Sequence, residues 1–215
     1  NLKKYKIENE DVLINCSTSK KFFNNKYNKN FDRNLFIANL LKKKKTIFIM
    51  LSTRQVYYPK LFVSEKSKIK PINNYAKNCL ISEKNCNRKL KKNLLVLRLS
   101  NIIGLERGKK KRHSIMSLII NGLKKKKIIF DNNYNLYKDF LPIKIFCLYI
   151  EKILSKNITG IINVGSGIPI LVSDFLDKII ANKKVNLLIK MKKNFIDENF
   201  CFNVKKLYRI TNIKI

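Results

Sequence analysis

Two stretches of this chain carry hydroxyls at a spacing that suits proton transfer. "LSTRQVYYP", residues 51–59, ends an apolar run with Ser52, Thr53, Tyr57 and Tyr58. "NNYAKNCLISEK", residues 73–84, follows a turn-like Pro-Ile pair and reads as one helix opening near Tyr75, 22 residues after Thr53. Consecutive elements of this kind pack side by side, so Thr53 and Tyr75 are expected to face one cleft. There a threonine hydroxyl can hydrogen-bond a substrate oxygen, and a tyrosine can exchange a proton with it. One helical turn after Tyr75, on the same face, stands Cys79. A thiol with a reference pKa of about 8.5 is mostly neutral and offers a phenol no positive charge.

The elements around these residues alternate. "DVLINC" (11–16), "KTIFIML" (45–51), "NLLVLRLS" (93–100) and "GIINVGS" (160–166) are short, nearly continuous apolar runs, as expected of strands buried on both faces. Helical patterns at 32–45, 74–86 and 142–156 lie between them. Strands alternating with helices predict a doubly wound α/β parallel sheet. Residues 105–141 and 167–215 mix shorter elements and are expected to build a smaller lobe at the carboxyl edge of the sheet, where ligands of such folds bind.

Composition narrows the classes. The chain has 215 residues, 45% of them hydrophobic, which is enough for a real core. No apolar run approaches the roughly 18 residues of a membrane span, and no signal-peptide pattern opens the chain. Five scattered cysteines without CxxC spacing predict reduced thiols in a cytoplasm-like compartment, and a lone His113 argues against a metal centre. The net charge of +33 invites a nucleic-acid reading. Lysine is spread everywhere, however, with clusters at 42–45, 109–111 and 124–127 at element ends. Asn, Ile, Phe and Tyr, which share lysine's A/T-rich codons, are abundant as well. A solvated surface is the expected role of these charges, and a polyanion-binding protein is the rival from another class.

The order of motifs resembles the extended short-chain dehydrogenases/reductases, the NAD-dependent epimerase/dehydratase family that acts mostly on nucleotide sugars. "DVLINCS" (11–17) is similar to the family's "DVVINxA", and "NLFIANLL" (34–41) to its "NxxGTxNLL". "STRQVYY" (52–58) is similar to "SSxxVYG". Glu65, Pro71, "YAKNC" (75–79) and Glu83 follow the family's acidic residue and "PxxxYGxSKxxxE". "LRLSNIIG" (97–104), "KDFLPIKI" (138–145), "NVGSG" (163–167) and "FNVKKL" (202–207) complete the series. Across nearly the whole chain, eight such matches stand in the family's order.

The resemblance implies a Rossmann-like doubly wound parallel sheet, N-terminally incomplete, with a small C-terminal substrate lobe. The expected divisions are 1–104 as the remaining Rossmann portion, 105–141 as lobe, 142–166 as a return to the sheet, and 167–215 as lobe. It further implies NAD or NADP as cofactor and a nucleotide sugar as substrate. Hydride exchange would be paired with Tyr75 as acid–base and Thr53 on the reacting oxygen. Cys16, Ser17 and Asn34 fall at cofactor-side positions, Asn101 at a diphosphate contact, and Lys138 at a phosphate-binding arginine. The resemblance also implies a homodimer through the helices at 32–45 and 74–86.

Three departures qualify this. The family's Gly-rich pyrophosphate turn has no counterpart, because "DVLINC" matches the fourth strand; the chain is therefore expected to be the C-terminal part of a larger enzyme. Cys79 stands where the family has the lysine that binds the nicotinamide ribose and lowers the tyrosine's pKa. Arg54 and Gln55 replace the acidic pair of the dehydratases, which disfavours dehydration and leaves epimerisation or reduction of a keto sugar. An inactive remnant that keeps the fold is the nearest alternative.

Overall fold

Apolar strands too short to stand alone are assembled here by parallel pairing. In chain order the elements are β1 (Val12–Asn15), α1 (Lys21–Asn24), α2 (Arg33–Leu41), β2 (Ile47–Thr53), α3 (Asn74–Leu90), β3 (Leu94–Leu99), β4 (Asn101–Ile103), α4 (Ile115–Lys124), β5 (Lys127–Phe130), β6 (Tyr137–Pro142), α5 (Ile143–Leu154), β7 (Gly160–Val164), β8 (Pro169–Leu171), α6 (Val172–Ile180), β9 (Asn186–Ile189) and α7 (Lys205–Thr211). This computed structural model describes residues 12–104, 115–130, 134–181, 183–184, 186–189 and 198–215. Strands β1, β2, β3 and β7 form an all-parallel sheet in that order.

Both faces of this sheet are covered, which explains why its strands read as continuous apolar runs. Phe48, Met50, Leu94 and Val96 point to one face and meet Ile37, Ala38 and Leu41 of α2 and Cys86 and Leu90 of α3. Their alternates, Ile49, Leu95, Leu97, Ile162 and Val164, point to the other and meet Tyr149 and Ile153 of α5 and Leu207 of α7. Each such side chain, fully buried, contributes about 1.5–3 kcal/mol. The starts of α2 and α3 are fixed by side-chain caps. Asp32 accepts from Leu35 N at 3.0 Å ahead of α2, and Asn73 from Ala76 N at 2.8 Å ahead of α3.

The motif residues that do no chemistry hold the sheet and helices together. Glu83 of α3 accepts from Ser52 Oγ at 2.5 Å and pairs with Arg98 of β3 at 2.6 Å. Arg98 also donates to Tyr57 Oη at 2.6 Å, and Tyr57 donates to Asn163 of β7 at 3.0 Å. Ser52, Tyr57, Glu83, Arg98 and Asn163 are all buried. The network ties α3 and the loop after β2 to three strands at once.

A second assembly differs from the expected divisions. β4, β6 and β8 form a three-stranded sheet, and β5 pairs with β9. Residues 101–103, inside the division 1–104, form β4 and pair with β6. Residues 200–211, expected in the lobe, pack on the larger sheet. Phe200, Phe202, Val204 and Leu207 are buried in the same core as Ile162 and Val164. Asp139, fully buried in β6, accepts from Ser166 N and Oγ, Gly167 N and Phe202 N, and so clamps the "NVGSG" turn to this returning segment. Gly165 is required there, since a Cβ would collide with the Asp139 carboxylate and lie 2.9 Å from the Phe202 ring.

Candidate active site

Carboxyl ends of parallel strands, with the loops that follow them, are where this architecture can gather chemistry. Thr53 is the last residue of β2 and is buried. Its Oγ1 accepts from Gln55 N at 3.3 Å, capping the tight turn Arg54–Val56. The hydroxyl proton of Thr53 therefore remains available to a ligand oxygen. Tyr75 lies in the first turn of α3. The two segments are stapled together, because Asn73, the residue that caps α3, also donates to Gln55 Oε1 at 2.8 Å. Thr53 and Tyr75 themselves share no hydrogen bond.

The surroundings of Tyr75 set its protonation. Burial, and then the neighbouring Cys79 thiol, push the phenol above its ordinary 10.0. Cys79 is itself pushed up to about 12, by burial first. A neutral thiol beside a half-buried phenol cannot favour the phenolate. One side of the ring is covered. Phe23 of α1 stacks on Tyr75 with centroids 4.6 Å apart and planes 11° from parallel. α3 holds α1 in that position: Asn78 Nδ2 donates to the carbonyls of Phe22 and Asn25, both at 2.9 Å, and Asn74 donates to that of Asn24 at 3.1 Å.

Ser17 and Asn34 converge on one residue, Asn15, which precedes Cys16 in the chain. Ser17 N and Oγ donate to Asn15 Oδ1 at 3.0 and 2.7 Å, and Asn15 Nδ2 donates to Asn34 Oδ1 at 2.6 Å. Asn34 thus braces the turn at the end of β1. Cys16 and Ser17 are exposed on it.

The substrate-side expectations are altered. Asn101 Nδ2 donates to the Asp139 carbonyl at 2.9 Å, across the β4–β6 pairing, which leaves its second N–H. Lys138, expected to present a charge to phosphate, is already engaged: its Nζ donates to Glu198 O at 2.6 Å and lies 3.4 Å from Glu198 Oε2. The carboxylate that approached it was not read from the sequence. Arg54 reaches the same Glu198 at 3.4 Å, and its guanidinium sits 4.8 Å from the centroid of the Phe200 ring. Burial lowers the Arg54 pKa below its ordinary value while Glu198 opposes that shift. Phe23, Glu198 and Phe200 were missed. For Glu198 a faint signal existed: with 14 acidic against 47 basic residues, any one acid has many cations to pair with.

Among the described residues no cluster of His, Cys, Asp and Glu could hold a metal ion, and no helix is long and apolar enough to cross a membrane. No protein-family model and no curated protein sequence matches the chain. Solved structures do. UDP-N-acetylglucosamine 4-epimerase from Methanobrevibacter ruminantium aligns over 96% of this chain and 72% of its own, with a TM-score of 0.80 at 13% identity. UDP-glucuronic acid 4-epimerase from Bacillus cereus, in complex with NAD and a fluorinated UDP-glucuronic acid, aligns over 94% and 69%, with a TM-score of 0.77 at 20% identity. dTDP-glucose 4,6-dehydratase from Bacillus anthracis, in complex with NAD, aligns over 95% and 67%, with a TM-score of 0.76 at 18% identity. These likenesses establish the fold, a Rossmann-like α/β sheet with an appended small lobe.

Proposed function

We propose that this chain is a nucleotide-sugar enzyme of the extended short-chain dehydrogenase/reductase kind and that it works in the reductive direction, on a keto sugar. The observation that most supports the direction is the setting of the Tyr75 phenol, on the segment that Asn73 staples to the one carrying Thr53, pushed up by burial and with a thiol for a neighbour. With a pKa above 10, fewer than about one molecule in a thousand is phenolate at pH 7. Such a group gives up a proton to a forming alkoxide far more readily than it removes one from a sugar hydroxyl. An epimerase needs both directions, and a reductase needs only the first.

The donor chemistry at this mouth fits the nicotinamide end of NAD(P): the exposed Ser17 and Cys16 at the end of β1 and the Tyr75 hydroxyl are the groups that would hold it. When bound, the cofactor supplies a hydride to the carbonyl carbon. Thr53 donates its hydroxyl hydrogen bond to the carbonyl oxygen and orients it. Tyr75 passes its phenolic proton to that oxygen as negative charge develops there. Asn101 offers its remaining N–H to the substrate diphosphate. Cys79 contributes no cation, so weak cofactor retention and slow turnover are part of the proposal. The neighbours named above, which act on UDP- and dTDP-sugars according to their names, support a sugar nucleotide as substrate. Phe36 and Leu40 of α2 and Ile81 of α3, all exposed, would pair with a second copy; sedimentation of a Phe36→Glu variant as monomer against a wild-type dimer tests that.

A second reading, an inert relative that binds the sugar nucleotide without turning it over, is favoured by Phe23 lying flat on Tyr75. One experiment separates the two. The protein is mixed with a nucleoside-diphosphate keto-hexose and reduced nicotinamide cofactor, and cofactor oxidation is followed. Oxidation that is lost in Tyr75→Phe supports the enzyme. Binding without oxidation supports the inert relative.

A further inference from the structure

The guanidinium of Arg54 is nearly enclosed and nearly unused. Its side chain is 9% exposed, yet among the described residues it makes one side-chain hydrogen bond, at 3.4 Å, to a carboxylate that Lys138 also claims. An arginine has five N–H donors in a planar fork. Nε and Nη1 are not sealed in by protein: the fully enclosed unpartnered side-chain atoms among the described residues are Ser100 Oγ and Tyr149 Oη. The nearby Asp139 carboxylate does not serve Arg54, since it is consumed by the backbone and hydroxyl donors of Ser166, Gly167 and Phe202. Phe200, against the guanidinium at 4.8 Å, holds the fork in place from one side.

The position in the chain says what the fork is for. Arg54 directly follows Thr53, the residue assigned to the reacting oxygen. On that assignment, a ligand group that meets Arg54 belongs to the part of the sugar near the reacting carbon. We infer that Arg54 is a specificity residue that accepts a carboxylate carried by the sugar, so that the substrate is a nucleotide-linked uronic acid rather than a neutral hexose. Glu198 is the resident anion that the substrate carboxylate displaces from the fork, and Lys138 keeps Glu198 in place once Arg54 has turned to the ligand. This rests on the proposed nucleotide-sugar function and narrows its substrate class.

The test is calorimetric titration, at physiological salt, with matched pairs of probes: UDP-glucose and UDP-glucuronate, GDP-mannose and GDP-mannuronate, and the bare nucleotides. The wild-type protein is expected to bind the uronate of one pair at least tenfold more tightly than its hexose. Arg54→Gln should abolish that preference while leaving hexose affinity within about twofold, and Arg54→Lys should restore part of it. Glu198→Gln, on a half-exposed side chain and therefore gentler to the fold, should strengthen uronate binding severalfold by removing the competing anion. Equal wild-type affinity for hexose and uronate overturns the inference and leaves the nucleotide-sugar reading intact. An equal loss for hexose, uronate and bare nucleotide in Arg54→Gln overturns it as well, by assigning the fork to the diphosphate. Failure of every nucleotide probe to bind removes the nucleotide-sugar reading itself, and the inference with it.

Discussion

Replacing Cys79 by lysine is the most informative single change. The thiol lies one helical turn after Tyr75, on the same face, and is buried. An ammonium placed there, about 4 Å from the phenol at an effective dielectric constant of about 20, favours the phenolate by about 4 kcal/mol, or roughly 3 pKa units. The present environment works the other way, with burial and the thiol both raising the phenol above 10.0. The chain has 9 tyrosines, so Tyr75 must be isolated by difference. Near-ultraviolet phenolate absorbance is titrated in wild type and Tyr75→Phe, and again in Cys79→Lys with and without Tyr75→Phe. The wild-type difference should appear above pH 10, and the Cys79→Lys difference well below it. A buried lysine is itself pressed toward neutrality, but the acid of Glu83 one further turn along is already paired with Arg98 and does not draw the new ammonium away. Cofactor-linked turnover of a keto sugar should rise by orders of magnitude in the same variant. If the Tyr75 titration does not move, the electrostatic reasoning about this helix face is wrong.

Three further outcomes follow from the packing. Arg98→Met should cost about 3–5 kcal/mol in urea unfolding, because it leaves the buried Glu83 carboxylate without its cation, and Arg98→Met with Glu83→Leu should recover part of that loss. Cys79, Cys86 and Cys201 are each raised from 9.0 to about 12 by burial, so their contribution to stability is complete below pH 9 and is lost as pH rises toward 12. The urea midpoint should fall over that range, and at pH 8 a thiol reagent should modify exposed Cys16 and Cys147 long before the other three. Gly165→Ala should cost about 1–3 kcal/mol, seen as a lower thermal midpoint, through its collision with the Asp139 carboxylate.

The main sheet was legible because strands buried on both faces leave continuous apolar runs, and all four predicted runs became its four strands. The helix opening near Tyr75 was legible too, from the turn-like stretch before it and the pattern after it, although it runs on to Leu90. The lobe was not. β4, β8 and β9 have three or four residues each, too few for a period to declare itself, and the return of 200–211 to the larger sheet depends on where space remains. At the candidate site, spacing led to the expectation that Thr53 and Tyr75 share a cleft, and the segments that carry them are joined through Asn73 and Gln55. Nothing local could show that Phe23 covers the tyrosine ring, because Phe23 arrives through backbone carbonyls held by Asn74 and Asn78 from another element. The loss of Lys138 as an open charge is similar: it depends on Glu198, sixty residues away in sequence.

The pH dependence of keto-sugar reduction tests most directly whether Tyr75 acts as a neutral proton donor. The rate in the wild-type protein should be level between about pH 6 and 9 and fall only above pH 10, as the donor loses its proton. The fall should move to lower pH in Cys79→Lys and be missing along with the activity in Tyr75→Phe. A rate that instead climbs with pH through neutrality, or that survives in Tyr75→Phe, would contradict it.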